Sequence, residues 1–310
     1  MGRFRHQSAF LTLAAGAAAV VFAAAAAAQS TFKVDVKLVR LLVSVKDARG
    51  QLVGSLEKPD FTVYDSGVRQ EVAVFEHHTA LPLSVSLLID TSGSTASSMR
   101  YETVSLGKFI HALLREGNPD DAAALYSFND QVTRLNSFTR REQRLMDSLK
   151  ELRASAGTSF YDAILLVSRD QLRREGRHVI VVVTDGGDTT SGKKFADARE
   201  AAQNADAVVY PILVTPITND AGRNVGGEHA LDTLASDTGG RVFQPSGAAA
   251  LDEAFTQILR DLRTQYLVGY YPRNLPADAP RFHLVRVELA RKDLRATTRT
   301  GYYGDAPATR

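Results

Sequence analysis

The sequence has no cysteine, no surplus of charge of either sign, no common catalytic signature and only one long apolar run. Without cysteine there can be no disulfide scaffold, thiolate zinc site, thiol nucleophile or cysteine-linked lipid anchor. Lysine and arginine number 37 against 35 aspartate and glutamate, a formal net charge of +2. Both excess cations, Arg3 and Arg5, fall in the first 28 residues, which hold no acid. The rest of the chain is neutral, whereas a dedicated nucleic-acid binder needs a basic surplus to neutralise phosphates. No nucleic-acid partner is therefore expected. A hydrophobic content of 44% excludes a disordered chain. G-x-S-x-G, H-E-x-x-H and P-loop patterns are all missing. Asp90-Thr91-Ser92 lacks the second aspartate of an aspartyl-phosphate enzyme, and Ser92 has no evident base to make it a nucleophile. The reading is a protein that is not an enzyme.

The apolar run defines a leader. Residues 1–28 read as a secretory signal peptide, with Arg3 and Arg5 at its start, an apolar stretch over 10–22 and small residues over 23–28. Cleavage is expected between Ala28 and Gln29. The alternative is an uncleaved anchor, because residues 9–28 reach about the length of a spanning helix. Alanine is only weakly lipophilic, which favours cleavage. A periplasmic or secreted destination follows, with membrane contact only if the leader is retained. Such a compartment holds no ATP, which weighs against kinases and ATPases.

Residues 31–79 form an N-terminal β segment. Val39, Leu41, Val43 and Val45 alternate at period two. Further strands are expected over 60–64 and 71–75, with a turn at Asp65-Ser66-Gly67. The pattern changes at Pro82. Buried strands are expected over 83–89, 122–128, 179–184 and 207–214, with another over 131–138 and a short one over 241–243. Helices alternate with them. Leu106, Phe109, Ile110, Leu113 and Leu114 follow helical spacing, as do Tyr161, Ile164, Leu165 and Leu172. Thr139 with Glu142 reads as a capping box, and Ser246 as the cap of a last helix carrying Leu251, Phe255, Ile258 and Leu262. Strands alternating with helices give an α/β fold, a doubly wound and mainly parallel sheet, over residues 81–262. Residues 263–304 return to β structure, with strands expected over 265–271, 281–289 and 297–303, and 305–310 form a tail. The two β segments flank the α/β domain, and pairing between them into one small module is expected.

Ligands bind outside the carboxyl ends of strands in such sheets. The loops expected there are Asp90-Thr91-Ser92-Gly93-Ser94, Gly157-Thr158-Ser159 and Asp185-Gly186-Gly187-Asp188. They offer carboxylates and hydroxyls, and neither imidazole nor thiol. An all-oxygen set suits a hard divalent cation. Gly93 is expected to let the first loop turn tightly. Asp162 and Asp188 read as helix-start or loop acids, His77-His78 as solvated surface, His178 as structural, and Tyr270-Tyr271 and Tyr302-Tyr303 as sheet-packing aromatics. The run from Arg169 to Glu175 reads as a wet helix face with paired charges.

Asp90-x-Ser92-x-Ser94, Gly157-Thr158 and Thr184-Asp185-Gly186 together resemble the metal-ion-dependent adhesion site of von Willebrand factor type A domains. The resemblance implies that Ser92, Ser94 and Thr158 contact a metal directly or through water, while Asp90 and Asp185 bind it or hold its waters. It implies Mg²⁺ or Mn²⁺ ahead of Ca²⁺. It further implies a protein ligand that supplies an Asp or Glu carboxylate, and so an adhesion or protein-binding role. The flanking Asp60-Phe61-Thr62-Val63-Tyr64 and Tyr266-Leu267-Val268-Gly269-Tyr270-Tyr271-Pro272 resemble those of bacterial, acidobacterial-type secreted proteins with a related A domain. Two other readings stay open: a Mg-dependent phosphohydrolase, and a scaffold that binds partners without metal.

Overall fold

The computed structural model describes residues 38–77, 81–95, 98–214, 224–276 and 280–304. The leader, His78 and the 305–310 tail lie outside the described residues.

The strands are β1 (Val39–Lys46), β2 (Phe61–Asp65), β3 (Val68–Gln70), β4 (Val72–Glu76), β5 (Leu83–Asp90), β6 (Ala122–Phe128), β7 (Val132–Thr139), β8 (Arg177–Thr184), β9 (Ala207–Leu213), β10 (Tyr266–Tyr270), β11 (Phe282–Leu289), β12 (Arg295–Thr297) and β13 (Gly301–Tyr303). The helices are α1 (Met99–Glu116), α2 (Glu142–Leu149), α3 (Phe160–Gln171), α4 (Phe195–Asn204), α5 (Val225–Thr238) and α6 (Ala248–Arg263).

The central sheet runs β7-β6-β5-β8-β9, parallel except for β7 at one edge. Every residue of β5 and of β8 is buried, as apolar runs covered on both faces require. On one face Val85, Leu87, Val181 and Val183 pack with Leu106, Phe109 and Leu113 of α1 and with Phe255, Ile258 and Leu262 of α6. The Phe109 and Phe255 ring centroids are 4.9 Å apart. On the other face Leu88, Ile180 and Val182 pack with Phe160, Ile164 and Val167 of α3 and Ala198 and Ala202 of α4. Some of the polar side chains inside find partners within the domain. Gln171 Nε2 donates to Ser86 Oγ (3.0 Å) and to the Val179 carbonyl (2.7 Å).

The flanking segments interleave. One four-stranded sheet runs β12-β1-β10-β4 and another β13-β11-β2-β3, each combining strands from both ends of the described chain. The pairings are antiparallel, with Leu41 opposite Val268 and Val63 opposite Val287. Leu41, Val43, Val63, Val268 and Tyr270 share one buried core. Asp65, at the end of β2, is fully buried in it. Its carboxylate accepts from Tyr302 Oη (2.7 Å), Tyr270 Oη (2.9 Å), Ser66 Oγ (3.1 Å) and His283 Nδ1 (3.2 Å). Tyr270 and Tyr302, read as sheet packing, are thus also hydrogen-bond donors, whereas Tyr271, just past the end of β10, is exposed rather than packed.

Several local expectations give way to tertiary contacts. The stretch 297–303 is two strands rather than one. Between them Thr300 N donates to the Asp237 carbonyl (3.2 Å) and its hydroxyl to Asp237 Oδ1 (3.1 Å), which ties the stretch to the end of α5. Residues 241–243 contribute a single bridge, Phe243 to Ile212, in place of a strand. Thr139 and Glu142 do not form a capping box. Arg141 is the N-cap of α2, and Glu142 instead accepts from Arg115 Nε (2.8 Å) and His111 Nδ1 (2.9 Å) of α1. Nor does Ser246 cap α6, whose N-cap is Gly247. Helix α3 buries Phe160, Ala163, Ile164 and Val167, so of the expected stripe only Ile164 is on the buried face, and Leu172 is exposed. In the Arg169–Glu175 run, Gln171 is fully buried, and Asp170 pairs outside the run with Arg134 (3.0 Å). His77 is no free surface side chain. Its ring packs on Phe75 and Tyr266, and its Nε2 lies 3.5 Å from Glu57. His178 is buried with its nitrogens against the Ala205 and Arg174 carbonyls.

Candidate functional site

Strand β5 is the centre of the sheet, with β6 on one side and β8 on the other. The crossovers from β5 and β8 go in opposite directions, so a crevice opens at the carboxyl ends of these two strands. Asp90 ends β5 and Thr184 ends β8. Their side chains meet: Thr184 Oγ1 donates to Asp90 Oδ2 at 2.6 Å. Asp90 Oδ1 accepts from Ser92 N at 2.8 Å.

The loop after β5 turns through a single 3-10 turn, Gly93–Thr95. Thr95 Oγ1 donates to the carbonyls of Asp90 and Ser92, both at 3.0 Å, which curls the loop onto itself. Ser92 Oγ and Ser94 Oγ come within 3.0 Å. Ser92 is buried and Ser94 exposed. Gly93 has an ordinary backbone, and a Cβ there would meet only the Ser155 carbonyl at an unstrained 3.9 Å, so the turn does not depend on it. Glycine is needed at Gly157 instead. It has φ +80°, and a Cβ there would sit 2.9 Å from the Cβ of Asp130.

The three loops are stitched together in pairs. Ser92 bridges Ser155, and Ser155 N donates to the Thr91 carbonyl (2.8 Å). Thr158 N donates to Thr189 Oγ1 (2.9 Å) and Thr190 Oγ1 (3.1 Å), while the Thr158 carbonyl accepts from Thr189 N (2.8 Å). Those bonds use the Thr158 backbone and leave its hydroxyl to other work. Asp185 follows Thr184 at the mouth of the crevice and is half-buried. The structure therefore brings the loops of Asp90, Ser92, Ser94, Thr158 and Asp185 to one edge. Asp188 and Asp162 are occupied elsewhere. Asp188 accepts from Tyr161 N (3.0 Å) and Ser191 Oγ (2.6 Å), and Asp162 from Gly192 N (2.9 Å) and Lys193 N (3.0 Å).

Sequence reasoning missed Glu102. It lies in the first turn of α1 and is 1% exposed. Both carboxylate oxygens lack a hydrogen-bond partner among the described residues. The Ser98 hydroxyl is close enough to ease the charge, yet donates to the Thr95 carbonyl at 2.9 Å. The signal was present in the sequence: Glu102 lies four residues before Leu106, in line with the buried stripe of α1.

The electrostatics are those of a crowded anionic crevice. Burial pushes the Asp90 carboxyl up to about 6. The Thr184 hydroxyl and the Ser92 amide and hydroxyl partly oppose this, and the charge of Asp185 adds to it. Burial pushes Glu102 up to about 7, with the charges of Asp90 and Asp185 raising it further. The groups acting on these two acids are hydroxyls, an amide and other acids, with no lysine or arginine among them.

The residues present fit a hard divalent cation. The donors are all oxygen, and two buried carboxylates lie without a cationic partner. Among the described residues no three carboxylate or imidazole groups form a metal cage by themselves. The hydroxyls of Ser92, Ser94 and Thr158 would have to complete the set around Asp90 and Asp185.

A doubly wound α/β domain with an oxygen-lined crevice at its switch point is the class defined by this fold and site. Residues 85–187 match the family model of the von Willebrand factor type A domain, and the chain carries such a domain. The match spans β5 to the loop after β8, and so includes all three site loops. No curated protein matches the chain. Among solved structures, the chain is similar to the vWF domain of the type V pili tip protein Mfa5 from Porphyromonas gingivalis. That match has 14% identity and a TM-score of 0.48, covering 65% of this chain and 100% of that one. It is similar also to the PilB minor pilin from Streptococcus sanguinis, with 13% identity and a TM-score of 0.47, covering 59% of this chain and 61% of the pilin. BatB from Bacteroides thetaiotaomicron gives 18% identity and a TM-score of 0.47, covering 58% of this chain and 98% of that one. The chain thus spans about three fifths of the pilin's length. Among the described residues no helix is long and apolar enough to cross a membrane.

Proposed function

We propose that this is an exported, metal-dependent protein-binding module and not an enzyme. Mg²⁺ or Mn²⁺ sits at the switch point, held by Ser92, Ser94 and Thr158 with Asp90 and Asp185 as ligands or as acceptors for its waters. A partner supplies an Asp or Glu carboxylate to the open side. The observation that supports this reading is the pairwise stitching of the three loops that carry these five residues. Among the described residues no imidazole or lysine is bonded to the Ser92 hydroxyl, which meets Ser94 and eases the charge of Asp90, so none of them equips it as a nucleophile. Export rests on the leader of residues 1–28.

The test is a melting-temperature titration with Mg²⁺, Mn²⁺ and Ca²⁺, run beside Asp90→Ala. A ligand that binds only the folded state stabilises it by about 2.7 kcal/mol at one hundred times its Kd. The wild type is expected to show that rise and Asp90→Ala to lose it. Partner capture should then require the cation and fail with chelator. Equal capture by wild type and Asp90→Ala in excess Mg²⁺ would sink the proposal in favour of a metal-independent scaffold.

A further inference from the structure

A native interior leaves few side-chain oxygens unpaired, and an ion is one recognised reason for those it does. Glu102 leaves two, at 1% exposure. It is joined to the site by a short chain of bonds. Thr95 Oγ1 donates to the Asp90 carbonyl, Ser98 Oγ to the Thr95 carbonyl, and Glu102 N to the Ser98 carbonyl (3.1 Å). Helix α1 therefore starts from the metal-site loop and holds Glu102 behind it. A buried acid beside two other acids is destabilising unless a positive charge lies among them. The N-terminus of α1 supplies only a partial one.

We infer that Glu102 is a third acid of the cation site, acting from behind the ligating oxygens of Asp90, Ser92 and Ser94 to tighten the hold on a divalent cation. This rests on the metal-binding reading above. Its consequence is a difference in charge balance. Asp90 and Asp185 alone would neutralise a divalent ion and leave it open to a partner's carboxylate. With Glu102 the site can retain its ion before any partner arrives.

The experiment measures Mn²⁺ binding to the purified protein by the electron paramagnetic resonance of free Mn²⁺. Wild type, Glu102→Gln and Asp90→Ala are compared. Glutamine keeps the shape of the side chain and removes its charge. Outer acids that orient and tune a metal site typically contribute about ten- to hundred-fold in affinity, so Glu102→Gln is expected to bind Mn²⁺ at least about ten-fold more weakly. Its metal-free melting temperature should stay level or rise. A purely structural Glu102 would give the opposite pair of results: unchanged Mn²⁺ affinity and a lower metal-free melting temperature. Unchanged affinity in a folded variant overturns the inference and leaves the metal site standing. A wild type that binds no Mn²⁺ overturns both. Should Glu102→Gln not fold, Glu102→Met goes through the same titration with the same expected loss.

Discussion

Two buried acids sit in the two halves of this molecule, and their surroundings are opposite. Asp65 in the β sandwich is 0% exposed and accepts hydrogen bonds from two tyrosines, a serine and a histidine. Glu102 in the α/β domain is 1% exposed and accepts none among the described residues. Burying a carboxylate costs several kcal/mol unless bonds to it replace those of water. The sandwich meets that cost with its own side chains, and the site does not. The first arrangement is a clasp: it joins β2 to strands more than two hundred residues later. The second is, on the inference drawn above, an acid of a cation site. On that inference the contrast separates a structural acid from a binding one.

The contrast can be broken most directly at Asp65. Asp65→Ala removes the acceptor that four donors share and leaves buried hydroxyls unpaired. A loss of about 3–5 kcal/mol is expected, as for removing one member of a buried pair, with the Mn²⁺ response unchanged wherever the protein folds. Chemical denaturation measures it, and a loss below about 1 kcal/mol would mean that Asp65 is not the clasp.

The site acids should give a smaller effect with a definite sign. Asp90 and Glu102 are raised from 3.8 to about 6 and from 4.5 to about 7. Below about pH 3 both acids are protonated whether the chain is folded or not. Between about pH 4 and 7 the unfolded chain ionises while the folded protein keeps its protons, so stability falls as pH rises and levels off above. Metal-free protein should therefore melt about 5 °C higher at pH 6 than at pH 8 from these groups, for a difference of roughly 2 kcal/mol. Asp90→Asn combined with Glu102→Gln should flatten that part of the profile. Saturating Mg²⁺ should offset the fall at pH 8, since binding needs the ionised acids. A profile that the double variant leaves unaltered would place the titration elsewhere.

The smallest effect sharpens the clasp. Tyr302→Phe removes one of the two phenol donors on Asp65 Oδ2 and leaves Tyr270 in place. A loss of about 1–2 kcal/mol is expected from denaturation midpoints, well below that of Asp65→Ala.

Much of the fold was legible because its signals are local. The mostly apolar run of β5 and the Val179–Val183 run of β8 marked central strands, and the helical spacing of Leu106, Phe109, Ile110 and Leu113 marked α1. The site loops could be placed because each follows a strand or precedes a helix in a sheet whose order is constrained. Legibility failed where two local patterns were equally good or where a distant partner competed. On α3 the stripe Phe160, Ala163, Ile164 and Val167 has the same period as the one first expected, and only packing against the sheet chose between them. Glu142 could close a capping box or meet Arg115 and His111, and α1 offered the charged partners.

Residue type and short spacings alone set the alternation of strands and helices, the oxygen chemistry of the three loops and the neutrality of the chain beyond residue 28. Those properties depend on residue type and on spacings of two to eight residues, which the backbone repeats impose on any chain. The tertiary structure alone decided that the two β segments interleave, that Asp65 is satisfied and that Glu102 is not. Satisfaction of a buried charge depends on which side chains arrive from elsewhere. For Asp65 they arrive from 205, 218 and 237 positions away, a separation on which no local period carries information.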